Sequence, residues 1–316
     1  MFFWKEKPSV SIVVPTYNRS HLLGECLDSL SKQTFQKNKL EIIFVDDGSR
    51  DDTKKVVEEY QKKDNRIKYL FQENRGQPSA RNLGISESKG EIICFLDDDC
   101  IADEYWVEEL VKGYSNEKIG GVGGKITGPP PKTLVEKYSE DAGIISQQKF
   151  IDKFIVTANA SYLRSVLDEV GGFQEGQPAS EDTDLGVRVK MAGYELGYRP
   201  TATVLHKHRS TVKGLVKQQF WYGRGHAFLG QKYAKHFKAS QAIGLGLRRI
   251  LLRIVLYPFN LLSSLFSENR RYQISKPIFE VLRQSSYLMG IIYGLSIDPK
   301  YEGKKIEKKI SFLGNL

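Results

Sequence analysis

Glu91-Ile92-Ile93-Cys94-Phe95-Leu96-Asp97-Asp98-Asp99 joins an apolar run to three carboxylates with no turn residue between them. A run this short, flanked by Gly90 and the aspartates, reads as a strand over Glu91 to Leu96, buried on both faces. The same pattern recurs on its N-terminal side. Val10-Ser11-Ile12-Val13-Val14-Pro15 is followed by Thr16-Tyr17-Asn18. Leu40 to Val45 is followed by Asp46-Asp47-Gly48-Ser49, and Ile67 to Phe71 forms another short run. Helical spacing fills the gaps. His21 to Gln33 carries Leu22, Leu23, Cys26, Leu27 and Leu30 on one stripe. Asp51-Asp52-Thr53 opens a helix to about Lys63 with Val56, Val57 and Tyr60 facing inward, and Pro78 to Ser88 is a helix stopped by Gly90. Strands alternating with helices predict a parallel sheet covered on both faces. Ligands of such sheets bind at the carboxyl ends of the strands. Three of the four strand ends here are polar, and two are acidic, which predicts one shared site.

The charge is unevenly spread. Of 47 Lys and Arg and 38 Asp and Glu, residues 201–316 hold 20 basic against 5 acidic, a balance of +15, and residues 1–200 carry −6. A basic C-terminal part suits anionic lipid, nucleic acid or a phosphate-bearing substrate. The three cysteines, Cys26, Cys94 and Cys100, form no C-x-x-C pair. They read as reduced thiols of a cytosolic protein, with neither a disulfide framework nor a zinc site. Met1 to Pro8 lacks the apolar core of a signal peptide. Gly120-Gly121-Val122-Gly123-Gly124 fits neither the phosphate-loop spacing nor the dinucleotide fingerprint and reads as a tight turn before a strand. Pro129-Pro130-Pro131 marks a loop.

Gly244 to Phe266 is rich in Leu, Ile, Val and Phe but is interrupted by Arg248, Arg249 and Arg253. At 100° per residue the arginines cover about 140° of a helix and leave a broad apolar face. A spanning helix wants roughly 20 apolar residues without such charges. The pattern predicts a helix lying in a membrane interface with its arginines toward anionic headgroups, the alternative being a helix packed on the rest of the protein. Ile278 to Ile297 is a softer apolar stretch broken by Glu280 and Arg283, and Lys300 to Lys309 holds five lysines against two glutamates. A boundary near 215 separates an α/β domain, 8–215, from a helical, basic region, 216–316.

Adjacent carboxylates repel one another unless a cation or strong donors offset them. Asp97, Asp98 and Asp99 therefore read as a site for a hard divalent cation bridging to a diphosphate, or as an acidic turn capping a helix that begins near Asp103. Asp46 and Asp47 can accept a hydrogen bond from the ring N–H of a base. Alternatively Asp51 or Asp52 caps a helix and Asp47 is a turn former.

At these positions the chain resembles glycosyltransferase family 2, the inverting enzymes with the GT-A fold. The resemblance rests on Ser11-Ile12-Val13-Val14-Pro15-Thr16-Tyr17-Asn18-Arg19, Val45-Asp46-Asp47-Gly48-Ser49, Ala80-Arg81-Asn82-Leu83-Gly84 and Phe95-Leu96-Asp97-Asp98-Asp99. It continues through Asp168-Glu169-Val170-Gly171-Gly172-Phe173 and Glu181-Asp182-Thr183-Asp184-Leu185, and so covers residues 8–210. It implies a mixed, mostly parallel Rossmann-like sheet flanked by helices, with the C-terminal helices as a membrane-associated extension. It also implies a nucleotide-diphosphate sugar as donor, UDP by family habit, and Mn2+ or Mg2+ as cofactor. Pro15, Thr16 and Tyr17 would line the nucleotide and Asp47 would bind the base. Arg81 and Asn82 would lie near the donor. Asp97 would face the ribose, with Asp98 between it and the metal ligand Asp99. Asp182 would be the catalytic base. His206 would be a second metal ligand, with His208 on the same strand face as its rival. Arg224 is a candidate donor-phosphate contact, while Trp221 and Tyr222 beside it read as core packing. The Gln-x-x-Arg-Trp motif of processive relatives is absent from Gln218 to Gly225, which argues against processive synthesis.

The acceptor implied is a lipid-linked or cell-surface saccharide. The implied location is cytoplasmic, peripheral on the inner face of the cell membrane, and nucleic acid is not an expected partner. Two other readings compete. A metal-dependent nucleotidyltransferase would also use paired aspartates but would carry a Gly- and Lys-rich signature where Thr16-Tyr17-Asn18-Arg19 stands. A non-catalytic peripheral membrane protein would have no use for Asp182 beside Asp97 and Asp99.

Overall fold

The computed structural model describes residues 8–234, 238–264, 267 and 269–297. Phe266 and the lysine-rich Lys300 to Lys309 lie outside the described residues. The N-terminal half runs β1 (Val10–Thr16), α1 (Ser20–Ser31), β2 (Leu40–Asp46), α2 (Thr53–Gln61), β3 (Ile67–Phe71), α3 (Gln77–Glu87), β4 (Ile92–Leu96) and β5 (Cys100–Ala102). There follow α4 (Trp106–Lys112), β6 (Ile119–Thr127), α5 (Leu134–Asp141), α6 (Gln147–Phe150), β7 (Asn159–Leu163), α7 (Arg164–Val170), α8 (Glu181–Met191) and β8 (Glu195–His206). Three helices end the described chain: α9 (Val212–Lys232), α10 (Ala239–Ser264) and α11 (Arg270–Ser296).

All eight strands form one sheet in the order β3-β2-β1-β4-β7-β6-β8-β5. The pairs β1–β2, β1–β4, β2–β3 and β6–β8 are parallel, whereas β7 runs antiparallel to β4 and β6, and β5 antiparallel to β8. β1 is buried along its whole length because the sheet is covered on both faces. Val10, Ile12 and Val14 pack with Leu23, Cys26, Leu27 and Leu30 of α1 and with Trp106 of α4. Val13, Ile43, Val45, Ile93 and Phe95 pack with Ala80 and Ile85 of α3 and Leu185 and Val189 of α8. Asp51, at the turn after β2, anchors two helices. It accepts the Ser20 N–H of α1 at 2.9 Å and the Thr53 N–H and hydroxyl of α2 at 3.1 and 2.6 Å.

Gly120 to Gly124 is not a turn. It lies inside β6, buried throughout. Crowding by neighbours explains the glycines. A Cβ on Gly121 would stand 2.6 Å from the Tyr162 ring, and one on Gly124 would stand 2.1 Å from the Ala202 carbonyl oxygen. Glycine in a strand interior marks such close approach.

The chain divides into two compact units. The first holds the sheet and comprises residues up to Pro129, Ile145–Gly176 and Glu181–Lys207, and the second comprises Pro130–Ile144, Gln177–Ser180 and the chain from His208 onward. The division thus falls at 207/208, not at 215, and α5 belongs with the C-terminal helices. Long-range side-chain bonds draw it there. Tyr138 donates to Glu280 at 2.5 Å and Tyr272 to Asp141 at 2.6 Å, while Arg283 donates to Tyr138 at 2.9 Å and to Glu280 at 2.6 Å. Glu280 and Arg283, which interrupt the apolar run of α11, thereby satisfy each other. α9 and α11 touch backbone to backbone: a Cβ on Gly223 or Gly290 would stand 2.0 Å from a carbonyl oxygen of the other helix.

Candidate active site

The loops after β1 and β2 are stitched together by the polar residues that end those strands. Asn18, at φ 52°, accepts the Arg50 N–H at 2.8 Å, and its own N–H donates to Ser49 at 2.8 Å. Asp46 accepts from the Ser49 N–H and the Tyr69 hydroxyl, each at 2.7 Å. Asp47 is buried and gathers the 72–76 loop: it accepts from Gln72 Nε2 at 2.6 Å and from the N–H groups of Arg75 and Gly76, each at 2.9 Å. Three donors fix the carboxylate in orientation and leave it one lone-pair direction to spare. Pro15 and Thr16 are buried at the end of β1, and Tyr17 beyond them is exposed.

Arg81 of α3 joins distant parts of the chain. Its guanidinium is 1% exposed, donates to Asp97 at 3.0 Å and to Glu181 at 2.6 Å, and lies over the Phe173 ring. Gln77, on the same helix, reaches Asp97 at 3.4 Å. The end of β4 and the start of α8 therefore meet at one cation. Asp182, next to Glu181, accepts the Thr183 N–H at 2.7 Å. It keeps a partly exposed edge, yet protein surrounds it densely. Desolvation and the Glu181 carboxylate lift its pKa well above the usual carboxylate range, and Thr183 and Arg81 only partly offset them.

Arg19, one turn beyond β1, donates to Asp98 at 2.7 Å and to Asp99 at 3.1 Å. Asp98 is nonetheless raised to about 6, because burial outweighs the attraction of Arg19 and Asp99 adds repulsion. The triplet does not cap the next helix. Asp103 turns its own carboxylate to the Tyr105 N–H at 3.0 Å, just ahead of α4.

Asp99 and His206 come together, with His206 Nε2 3.4 Å from Asp99 Oδ1. His208 does not share the strand face of His206. β8 ends at His206, and His208 belongs to the second unit, where its ring bonds Glu140 at 2.6 Å. A carboxylate just ahead of β5 and an imidazole at the end of the adjoining β8 form a donor set that fits a divalent ion such as Mn2+. Asn82 is committed elsewhere. Its amide donates to the Phe173 carbonyl at 2.9 Å and accepts the Phe173 N–H at 2.8 Å, bracketing the Gly171-Gly172-Phe173 turn. Arg224 lies in the second unit with its guanidinium over the rings of Trp221 (4.3 Å) and Tyr293 (5.1 Å). Trp221 is exposed, so it is not a core residue; Arg224 covers its face instead.

The sequence pattern alone did not mark Arg19 and Glu181 as site residues. Arg19 and Glu181 stand inside the quoted motifs, and the opposite charge of Arg19 to the triplet was the available signal.

The family model "Glycosyl transferase family 2" matches residues 11–171, and "Glycosyl transferase family group 2" matches residues 92–296. Glycosyltransferase AglE of Haloferax volcanii is 31% identical over 222 residues, 69% of this chain and 73% of that one. The chain belongs to glycosyltransferase family 2. A GalNAc(5)-diNAcBac-PP-undecaprenol beta-1,3-glucosyltransferase of Campylobacter jejuni is 46% identical over 94 residues, 29% of this glycosyltransferase and 30% of the Campylobacter protein. The fold of the family 2 enzyme is GT-A. The structure of mannosyltransferase PcManGT from Pyrobaculum calidifontis, in complex with GDP-Man and Mn2+, superposes at TM-score 0.67 and 18% identity, over 90% of this chain and 88% of that one.

Proposed function

We propose that this glycosyltransferase moves a sugar from a nucleotide-diphosphate sugar, UDP by family habit, to an acceptor hydroxyl by a single inverting displacement. The observation that carries the reading is the Arg81 bridge, which holds Asp97 of the triplet and the Glu181-Asp182 pair at one place. Asp182 takes the acceptor proton as the hydroxyl oxygen attacks the anomeric carbon; its raised pKa suits a base working near neutrality. Pro15, Thr16 and Tyr17 line the nucleotide, and the remaining lone pair of Asp47 meets the base. Asp97 faces the ribose. Asp99 and His206 would hold Mn2+ or Mg2+, which when bound neutralises charge on the departing diphosphate. Arg224 is retained as a candidate for the diphosphate as well.

The acceptor is a lipid-linked or cell-surface saccharide, a reading supported by the polyprenol-linked acceptor in the Campylobacter relative's name. The enzyme works peripherally on the inner face of the cell membrane. Support comes from α10: Arg248, Arg249 and Arg253 are exposed among exposed Leu, Ile and Val, and the helix carries no acidic residue. Among the described residues no helix is long and apolar enough to cross a membrane, and the mixture of arginines and apolar side chains on α10 suits a helix lying in the interface.

The test is incubation of the full chain with a panel of nucleotide sugars and Mn2+. Free nucleoside diphosphate accompanying sugar transfer is expected, and Asp99→Ala should abolish it. Release of pyrophosphate in its place would mark a nucleotidyltransferase and sink the reading.

A further inference from the structure

Cys100 is the first residue of β5, fully buried, and pairs in register with His206 across the antiparallel β5–β8 ladder. Side chains directly opposite in such a pair share a face, with Cβ atoms about 4.5–5.5 Å apart. Asp99 precedes Cys100 in the chain. A carboxylate oxygen of Asp99, the Sγ of Cys100 and a ring nitrogen of His206 all lie within 4.8 Å of one another, and all three residues are buried. An ion about 2.0–2.3 Å from each ligand could draw such atoms in with little movement.

These three donors differ in softness. Magnesium and manganese favour oxygen and leave a neutral thiol alone, whereas zinc and its thiophilic neighbours bind thiolate and imidazole strongly. We propose that Cys100 makes this centre a soft-metal site as well: zinc or a similar thiophilic divalent ion is captured by Asp99, Cys100 and His206 together and excludes the hard ion that supports transfer. The proposal rests on the reading of Asp99 and His206 as holders of the reaction's cation. On capture the S–H bond breaks, a metal–sulfur bond forms and the proton leaves to solvent. No electrons are exchanged, so no oxidant or reductant is required. The captured state opposes catalysis for an electrostatic reason. The Asp99 carboxylate and the Cys100 thiolate together cancel the ion's two charges, which leaves little attraction for a diphosphate. Zinc also outranks manganese at a given site in the order of divalent affinities, so sulfur ligation turns a modest preference into exclusion.

The experiment titrates the metal-free full chain with Cd2+ and follows thiolate-to-metal charge-transfer absorbance. A band saturating at one ion per chain is expected in the wild type and in Cys94→Ser, and no band in Cys100→Ser or Cys100→Ala. Zn2+ affinity, measured by competition with a chromophoric chelator, should fall roughly tenfold or more in Cys100→Ser, the scale on which altered metal surroundings act. Mn2+ binding in the presence of nucleoside diphosphate, read by electron paramagnetic resonance, should be unchanged. No band in the wild type, or a band surviving in both Cys100 variants, overturns the proposal. Should the variants not fold, X-ray absorption of the zinc-loaded wild type counts the sulfur ligands: one supports the proposal and none overturns it. Absence of Mn2+ binding in the wild type sinks the underlying reading of the site instead, whatever cadmium does.

Discussion

At the carboxyl end of β4, Asp98 and Asp99 are only 3% and 4% exposed, while along α10 Leu251, Ile254, Val255, Phe259 and Leu262 are 57–67% exposed. Charge lies inside and hydrocarbon outside, the reverse of ordinary burial. A folded chain tolerates each inversion only where something compensates. Inside, Arg19 and Arg81 supply part of the compensation, and a divalent cation is the natural remainder. On α10 the membrane surface proposed above would supply it, since an anionic bilayer accepts apolar side chains and arginines together. Under the proposed function the two inversions call for two kinds of partner: a small, highly charged ligand at β4, and an extended, weakly held surface at α10.

The largest effect is expected at the charged end. Asp182→Asn keeps the hydrogen-bond acceptor for Thr183 but removes the base, so turnover should fall by about 10²–10⁴. Donor affinity by calorimetry should barely change. Full turnover in this variant would strip Asp182 of its role and leave the buried carboxylates as structural charge.

The next effect comes from making the same substitution in both regions. Arg81→Leu leaves Asp97 and Glu181 facing each other without their cation, and breaking such a buried pair costs about 3–5 kcal/mol of stability. Arg248→Leu, on exposed α10, should stay within about 0.5 kcal/mol. Denaturant midpoints of the two variants read the contrast directly, and equal shifts would erase it.

A third effect tests what α10 meets. Arg248→Glu, Arg249→Glu and Arg253→Glu combined should weaken binding to phosphatidylglycerol vesicles by about 1 kcal/mol per arginine removed, so roughly 100-fold or more in partitioning. Transfer to a water-soluble acceptor should be unaffected. If wild-type chain ignores anionic vesicles and instead dimerises in solution, α10 covers a second copy and the membrane reading fails.

Legibility in the sequence follows the range of the interactions. β1 to β4 and the helices between them are set by local periodicity, and β3 falls at Ile67–Phe71 as expected. The acidic strand ends were visible for the same reason. Gly120 to Gly124 was misread because a glycine required by a turn and one required by the Tyr162 ring look alike in one dimension. The pairing of Cys100 with His206 depends on register between strands a hundred residues apart. The attachment of α5 to α11 depends on Tyr138 meeting Glu280 at a separation of 142 residues. Neither leaves a local trace. Asn82 was assigned by motif to the donor, but its amide is consumed by the backbone of a turn ninety-one residues away.

The smallest effect, and the one that probes the buried carboxylates most cleanly, is the pH dependence of stability. An aspartate in an unfolded chain titrates near 3.9. Asp182 titrates higher in the folded protein, through desolvation and Glu181. A carboxyl group with a raised folded pKa binds its proton more tightly when folded. At pH above that raised value it is ionised in both states and destabilises the fold by its full amount. As pH falls through the folded value the native state takes up the proton first, and the penalty is relieved until both states are protonated below the unfolded value. Asp182→Asn removes the ionisation altogether. The variant should therefore melt a few degrees above wild type at pH 8, with the gap closing toward pH 4. On α10 the arginines stay charged throughout this range, so the triple glutamate variant should show no such closing gap from loss of arginine titration. A constant difference between Asp182→Asn and wild type from pH 8 to pH 4 would mean that Asp182 is not strained by burial, and the charged half of the comparison would then reduce to Asp98 and Asp99 alone.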